Sequence, residues 1–88
     1  GYTPDPQAAP LWTLSTHPSP PRTHPLALRW CETRLAIQPA LAGIKHCNRL
    51  EQVVARAEWL AHATDADDGL MLDTEGAVVC ATSANVFV

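Results

Sequence analysis

Seven of the eight prolines lie within the first 25 residues, which restricts where regular structure can form. Proline fixes φ and lacks the N–H that a helix interior or a central strand requires. The run Pro18-Ser19-Pro20-Pro21-Arg22-Thr23-His24-Pro25 therefore reads as an extended linker. Before it, Leu11-Trp12-Thr13-Leu14-Ser15-Thr16 alternates apolar and polar residues, the pattern of one short strand.

After the linker the pattern changes. Leu26-Ala27-Leu28-Arg29-Trp30 opens a strand-like run that ends near Arg34-Leu35. Asn48-Arg49-Leu50-Glu51 has the form of a capping box, with Asn48 accepting from the early N–H groups and Glu51 reaching back. Leu50, Val53, Val54, Ala57, Leu60 and Ala61 recur at helical spacing and predict one apolar helix face. That helix is expected to end near residues 62–64, before an acidic turn, Asp65-Ala66-Asp67-Asp68-Gly69. Leu70-Met71-Leu72 and Ala77-Val78-Val79 flank Asp73-Thr74-Glu75-Gly76, a hairpin signature with Gly at the last turn position. Asn85-Val86-Phe87-Val88 reads as the start of a further apolar strand. Strand, loop, helix, hairpin, loop and strand make a mixed α/β arrangement of the α+β kind.

At 88 residues the chain is one small domain or part of a larger one. Chains of this size bury roughly 60–65% of their unfolded surface and are marginal alone. The chain begins at Gly1, its one methionine is the internal Met71, and it stops within an apolar run. We expect a segment of a longer protein, whose remainder is its first partner. The three cysteines, Cys31, Cys47 and Cys80, are odd in number and widely spaced, which fits a reducing, cytoplasmic setting rather than a disulfide framework. There is no apolar run long enough to span a bilayer. A net charge of −3 with six Lys plus Arg argues against a nucleic-acid surface. His17, His24, Cys31, His46, Cys47, His62 and Cys80 form no C-x-x-C or H-x-x-x-H pair, so no metal site is expected.

Lys45 is the only lysine, placed in Leu41-Ala42-Gly43-Ile44-Lys45-His46-Cys47-Asn48 just before the helix cap. Its apolar N-terminal flank suits a lysine whose pKa falls on desolvation, as a Schiff-base nucleophile requires. An exposed loop lysine is the other reading of the same residues.

The stretch Ala42-Gly43-Ile44-Lys45-His46-Cys47-Asn48-Arg49-Leu50-Glu51-Gln52 resembles the segment around the cofactor lysine of aminodeoxychorismate lyases. These are fold-type IV pyridoxal-phosphate enzymes related to branched-chain and D-amino-acid aminotransferases. The resemblance continues through Asp65-Ala66-Asp67-Asp68, Leu72-Asp73-Thr74-Glu75-Gly76 and Ser83-Ala84-Asn85-Val86-Phe87, and is thin over residues 1–25. It implies that residues 1–17 end a small N-terminal domain, 18–25 form the interdomain linker, and 26–88 begin the large cofactor-binding domain. It also implies a homodimer and a small-molecule substrate. Lys45 would carry pyridoxal 5'-phosphate and move protons once freed, while Asn85 would stand near the cofactor. Asn85 satisfying local backbone groups is an equally open reading.

One position departs from that family. Its members place a glutamate against the cofactor's ring nitrogen five residues before the asparagine, and here that position is Cys80. A neutral thiol is a weak partner for a ring nitrogen. The expected activity is a lyase converting 4-amino-4-deoxychorismate to 4-aminobenzoate and pyruvate. The alternatives are an aminotransferase of the same fold, and a non-catalytic fragment that only mediates association through its apolar helix face and strand edges.

Overall fold

A computed structural model describes residues 2–21, 23–60 and 65–88. Its centre is a strand flanked on both sides. β1 (Leu28–Trp30) pairs in parallel with β2 (Asp68–Leu72), with Leu28 opposite Asp68 and Trp30 opposite Leu70. β3 (Val78–Ala81) pairs antiparallel on the other edge, with Leu70 opposite Ala81 and Met71 opposite Cys80. A parallel pair cannot be closed by a tight turn, and α1 (Leu50–Leu60) lies in the connection that brings the chain back. The ladder continues irregularly past β1: Cys31 N–H donates to Leu70 O at 2.9 Å, and Leu35 N–H to Leu72 O at 2.9 Å. The mixed α/β class is as expected.

The β2–β3 hairpin forms as its sequence predicts. Asp73 Oδ1 accepts from the N–H groups of Glu75 and Ala77, both at 2.9 Å. Gly76 N–H closes the turn onto Asp73 O at 3.1 Å, with φ at +90°, a conformation that glycine alone adopts without strain.

The helix forms, but the side facing the sheet is not the one its apolar periodicity suggests. Ala55 and Trp59 are buried with Gln52, whereas Leu50, Val53, Val54 and Leu60 are 50–77% exposed and Ala57 is also exposed. At 100° per residue, positions 52, 55 and 59 lie opposite the predicted stripe. α1 thus has two apolar sides. The sheet takes the one where small Ala55 permits close approach and Trp59 supplies area. The hydrophobic centre is Cys31, Leu35, Ala55, Trp59 and Met71.

The capping box also resolves differently. The first helical bond runs from Val53 N–H to Arg49 O, and Glu51 reaches across to accept Ala36 N–H at 2.9 Å. Glu58, two turns on, accepts the N–H groups of Glu32 and Thr33 at 2.9 and 2.8 Å. These two carboxylates satisfy the backbone of the loop after β1 and tie it to the helix. The expected acidic turn is partly strand: Asp68 and Gly69 begin β2, where their pairing with β1 overrides turn propensity. Residues 11–16 form no strand, and Leu11, Trp12 and Leu14 are 87–95% exposed. Alternation alone gives a strand no hydrogen-bond partner. For the same reason residues 85–88 run irregularly, without a partner strand among the described residues. The predicted helix end at residues 62–64 lies outside the described residues.

Gly69 sets the spacing between α1 and the sheet. A Cβ there would collide with Cys31 Sγ and come 2.9 Å from the Trp59 ring. Gly69→Ala is therefore expected to destabilise the full-length protein by roughly 1–3 kcal/mol through overpacking, read as a lower urea midpoint. An unchanged midpoint would show that the ring shifts freely.

Candidate active site

Lys45 owes its position to a tight turn followed by a helix start. Gln38 Oε1 accepts from Ala40 N–H at 3.3 Å at the head of a 3-10 turn, Pro39–Leu41. Ile44 N–H returns to Leu41 O at 3.1 Å, and Gly43 takes φ +78°. The chain then turns into α1, leaving Lys45 on the connecting loop. Its side chain is exposed, so the desolvated setting expected from its apolar flank is not present in this chain. What the loop does supply is one wall of a broad cleft.

The three residues singled out from the sequence meet there. Lys45 lines the cleft from the loop, Cys80 from β3, and Asn85 from the segment after β3. Cys80 is half-buried and packs against the hydrophobic centre. Burial raises its thiol pKa and the Asp68 carboxylate adds to this, while the Arg49 guanidinium and the Gln52 amide pull the other way. The net shift is upward, so the thiol is neutral near pH 7. Asn85 is exposed.

Three further residues bear on the cleft, Gln52 and His46 as part of its lining and Asp68 through residues that line it, and none of them is given a role there by the sequence. Gln52 is 9% exposed, in the first turn of α1, and its Oε1 has no hydrogen-bond partner among the described residues. His46 lines the same cleft, and its Nδ1 is also buried and without a partner among them. Asp68 is 6% exposed and, without lining the cleft itself, holds Thr82 and Ser83, which do. Its Oδ1 accepts Gly69 N–H at 2.7 Å, Thr82 N–H at 3.2 Å and the Thr82 hydroxyl, and its Oδ2 accepts the Ser83 hydroxyl at 2.6 Å. An acid opening a strand and a Thr-Ser pair after the next strand carry no short-range signal of this contact. Among the described residues no cluster of His, Cys, Asp or Glu is arranged to hold a metal ion, and no helix is long and apolar enough to cross a membrane.

Comparison with known proteins places this geometry. The family model for amino-transferase class IV matches residues 1–88. An aminodeoxychorismate lyase of Vibrio harveyi is 43% identical over 94 residues, taking in 99% of this chain and 33% of that protein. The crystal structure of 4-amino-4-deoxychorismate lyase from Pseudomonas aeruginosa matches with 53% identity and a TM-score of 0.59, covering 66% of this chain and 21% of that one. The chain therefore spans 33% of the length of the curated relative, and its mixed α/β fold is that of a segment of such an enzyme.

The Asp68 contacts have a pH signature. Burial alone would raise this carboxyl, but the hydroxyls of Ser83 and Thr82 and the N–H groups of Gly69 and Ser83 outweigh it and hold the pKa below the ordinary range. Its stabilisation is thus complete above the unfolded value of about 3.9. It is lost as the pH falls through the lower folded value. In the full-length protein, Asp68→Asn should cost roughly 1–3 kcal/mol at pH 7. It should also lose less stability than the wild type between pH 6 and 3. Urea midpoints at the two pH values measure both effects, and equal pH dependence would rule out this assignment.

Proposed function

The chain belongs to the amino-transferase class IV family over its whole length, and from that premise we propose that it is the lysine-bearing segment of a pyridoxal-phosphate lyase. The reaction is conversion of 4-amino-4-deoxychorismate to 4-aminobenzoate and pyruvate. The observation that carries this reading is that the chain's one lysine, Lys45, shares a cleft with Cys80 and Asn85. The matched relatives named as lyases support it.

The residues present suit the cofactor at one end. Lys45 offers an exposed primary amine, and Gln52 and His46, each with a buried polar atom that has no partner among the described residues, line the same cleft. Pyridoxal phosphate, when bound, supplies an electron sink conjugated to the substrate's amino-bearing carbon. Lys45 Nζ would hold the cofactor, and its amine when free would take the proton from the ring carbon that carries the substrate's amino group. Loss of that proton lets the neighbouring C–O bond break. The enolpyruvyl group leaves and is protonated on its methylene carbon to give pyruvate, and the ring becomes aromatic.

Cys80 favours this outcome over transamination. Standing where the family has its glutamate, a neutral thiol would sustain a protonated ring nitrogen less well than a carboxylate. Transamination depends on that sink throughout, whereas aromatisation drives elimination. Asn85 is a contact on the cleft wall rather than a group that moves protons. We further propose that the full enzyme is a cytoplasmic homodimer acting on this small molecule, with residues 1–17 closing its small domain, 18–25 linking, and 26–88 opening the large one. The match to an amino-transferase family model keeps an aminotransferase acting on D-amino or branched-chain acids as the second reading.

Two variants of the full-length protein test the proposal. Lys45→Ala should abolish the absorbance band formed with pyridoxal phosphate and lower pyruvate release on the order of a thousandfold. A retained band would remove Lys45 from its role. Cys80→Glu should leave lyase turnover within a few-fold, and a large gain would show that the thiol is a loss of function rather than a feature of the lyase.

A further inference from the structure

Gln52 breaks the pattern of its own helix. It lies on the side of α1 that packs on the sheet with Ala55 and Trp59, where an apolar residue would serve packing better. Its Oε1 is buried and has no partner among the described residues. Such an acceptor bears its full desolvation penalty without recompense. A polar residue that violates local rules with no structural gain points to a site that is completed by something else. The side chain borders the Lys45 cleft beside Cys80. His46 Nδ1, a second buried atom without a described partner, borders the same cleft.

We propose that Gln52 is a ligand-positioning residue of the Lys45 cleft, its carboxamide braced against Cys80 and its Oε1 accepting a hydrogen bond from an N–H or O–H of the bound ligand. This rests on the reading of Lys45 as the cofactor lysine. The ligand class is an aromatic heterocycle bearing a polar hydrogen. Pyridoxal phosphate qualifies through its protonatable ring nitrogen and its ring hydroxyl. Being neutral, the Gln52 amide orients such a donor without imposing a charge on it, as a carboxylate would.

The proposal separates affinity from stability. A residue kept for packing stabilises the empty protein, whereas one kept for a ligand costs the empty protein stability. The test uses the full-length protein with pyridoxal phosphate as probe, starting with wild type against Lys45→Ala. If the wild type forms no lysine-dependent band, the cofactor reading itself fails before Gln52 is examined. Given that band, Gln52→Leu should bind pyridoxal phosphate about tenfold more weakly, the loss of one buried hydrogen bond. The thermal midpoint of its empty form should be unchanged or higher. Gln52→Met gives the same reading if the leucine variant does not fold. Gln52→Glu, which keeps the acceptor, should restore binding to within about threefold of wild type. Unchanged affinity in Gln52→Leu overturns the proposal. So does a lower midpoint of the empty form at unchanged affinity, which assigns the partner of Oε1 to the protein itself.

Discussion

The contact between the Trp59 ring and the bare backbone of Gly69 fixes how closely α1 approaches the sheet, and the other relations depend on that distance. Arg29 from β1 and Arg56 from α1 stand 5.7 and 5.9 Å from the Trp59 ring centroid. The two cations thus cover the indole from strand and helix. With the helix at this depth, Glu51 and Glu58 reach the loop after β1, and both accept from its N–H groups. That loop leads to Lys45. The packing of a single aromatic residue therefore determines where the lysine's loop begins, although Trp59 itself is on the other side of the helix from it in sequence order.

Next to Gly69, Asp68 positions residues that line the cleft. Its carboxylate gathers Thr82 and Ser83, and Ala81 N–H closes onto Ala84 O at 2.8 Å. The segment that carries Asn85 is thereby bent back toward the cleft. Adjacent residues of β2 thus hold different neighbours, Gly69 the Trp59 ring by lacking a side chain and Asp68 the Thr82–Ser83 pair by burying a charge. A buried carboxylate is tolerable here because several donors meet it.

The parts legible in the sequence are those with local causes. The Asp73-to-Gly76 turn contains its own hydrogen-bond acceptor and its own left-handed residue, so nothing distant is needed to form it. The helix is legible too, but which of its sides meets the sheet is not. Leu50, Val53 and Val54 outweigh Ala55 in hydrophobicity, yet shape decides, and shape depends on Gly69 nineteen residues from Leu50. Residues 11–16 show the converse, a strand pattern with no strand to pair. At the cleft, Lys45, Cys80 and Asn85 are recognisable from motif resemblance, and the fold brings them to one place. Gln52 and Asp68 escape notice because a buried polar residue is identified by its tertiary partners, or by their absence.

Cys80 shows how those partners act together. Arg49, at the start of α1, and Gln52, one turn on, both favour an anion at this position, while burial and Asp68 oppose it. The balance falls on the neutral thiol. The surroundings nonetheless retain a cation and an amide, both suited to a carboxylate, so the polar shell is not matched to sulfur. The Gln52 amide N–H side is what an anion at position 80 would draw on, and a thiol is a weak acceptor for it. The Gln52 Oε1, which neither a carboxylate nor a thiolate could engage, has no partner among the described residues. With a neutral thiol on the strand, the polar groups beside it are the Arg49 cation and the Gln52 dipole at the head of the helix. The proposed elimination, driven by aromatisation, would require orientation more than charge, and an amide dipole is suited to the former.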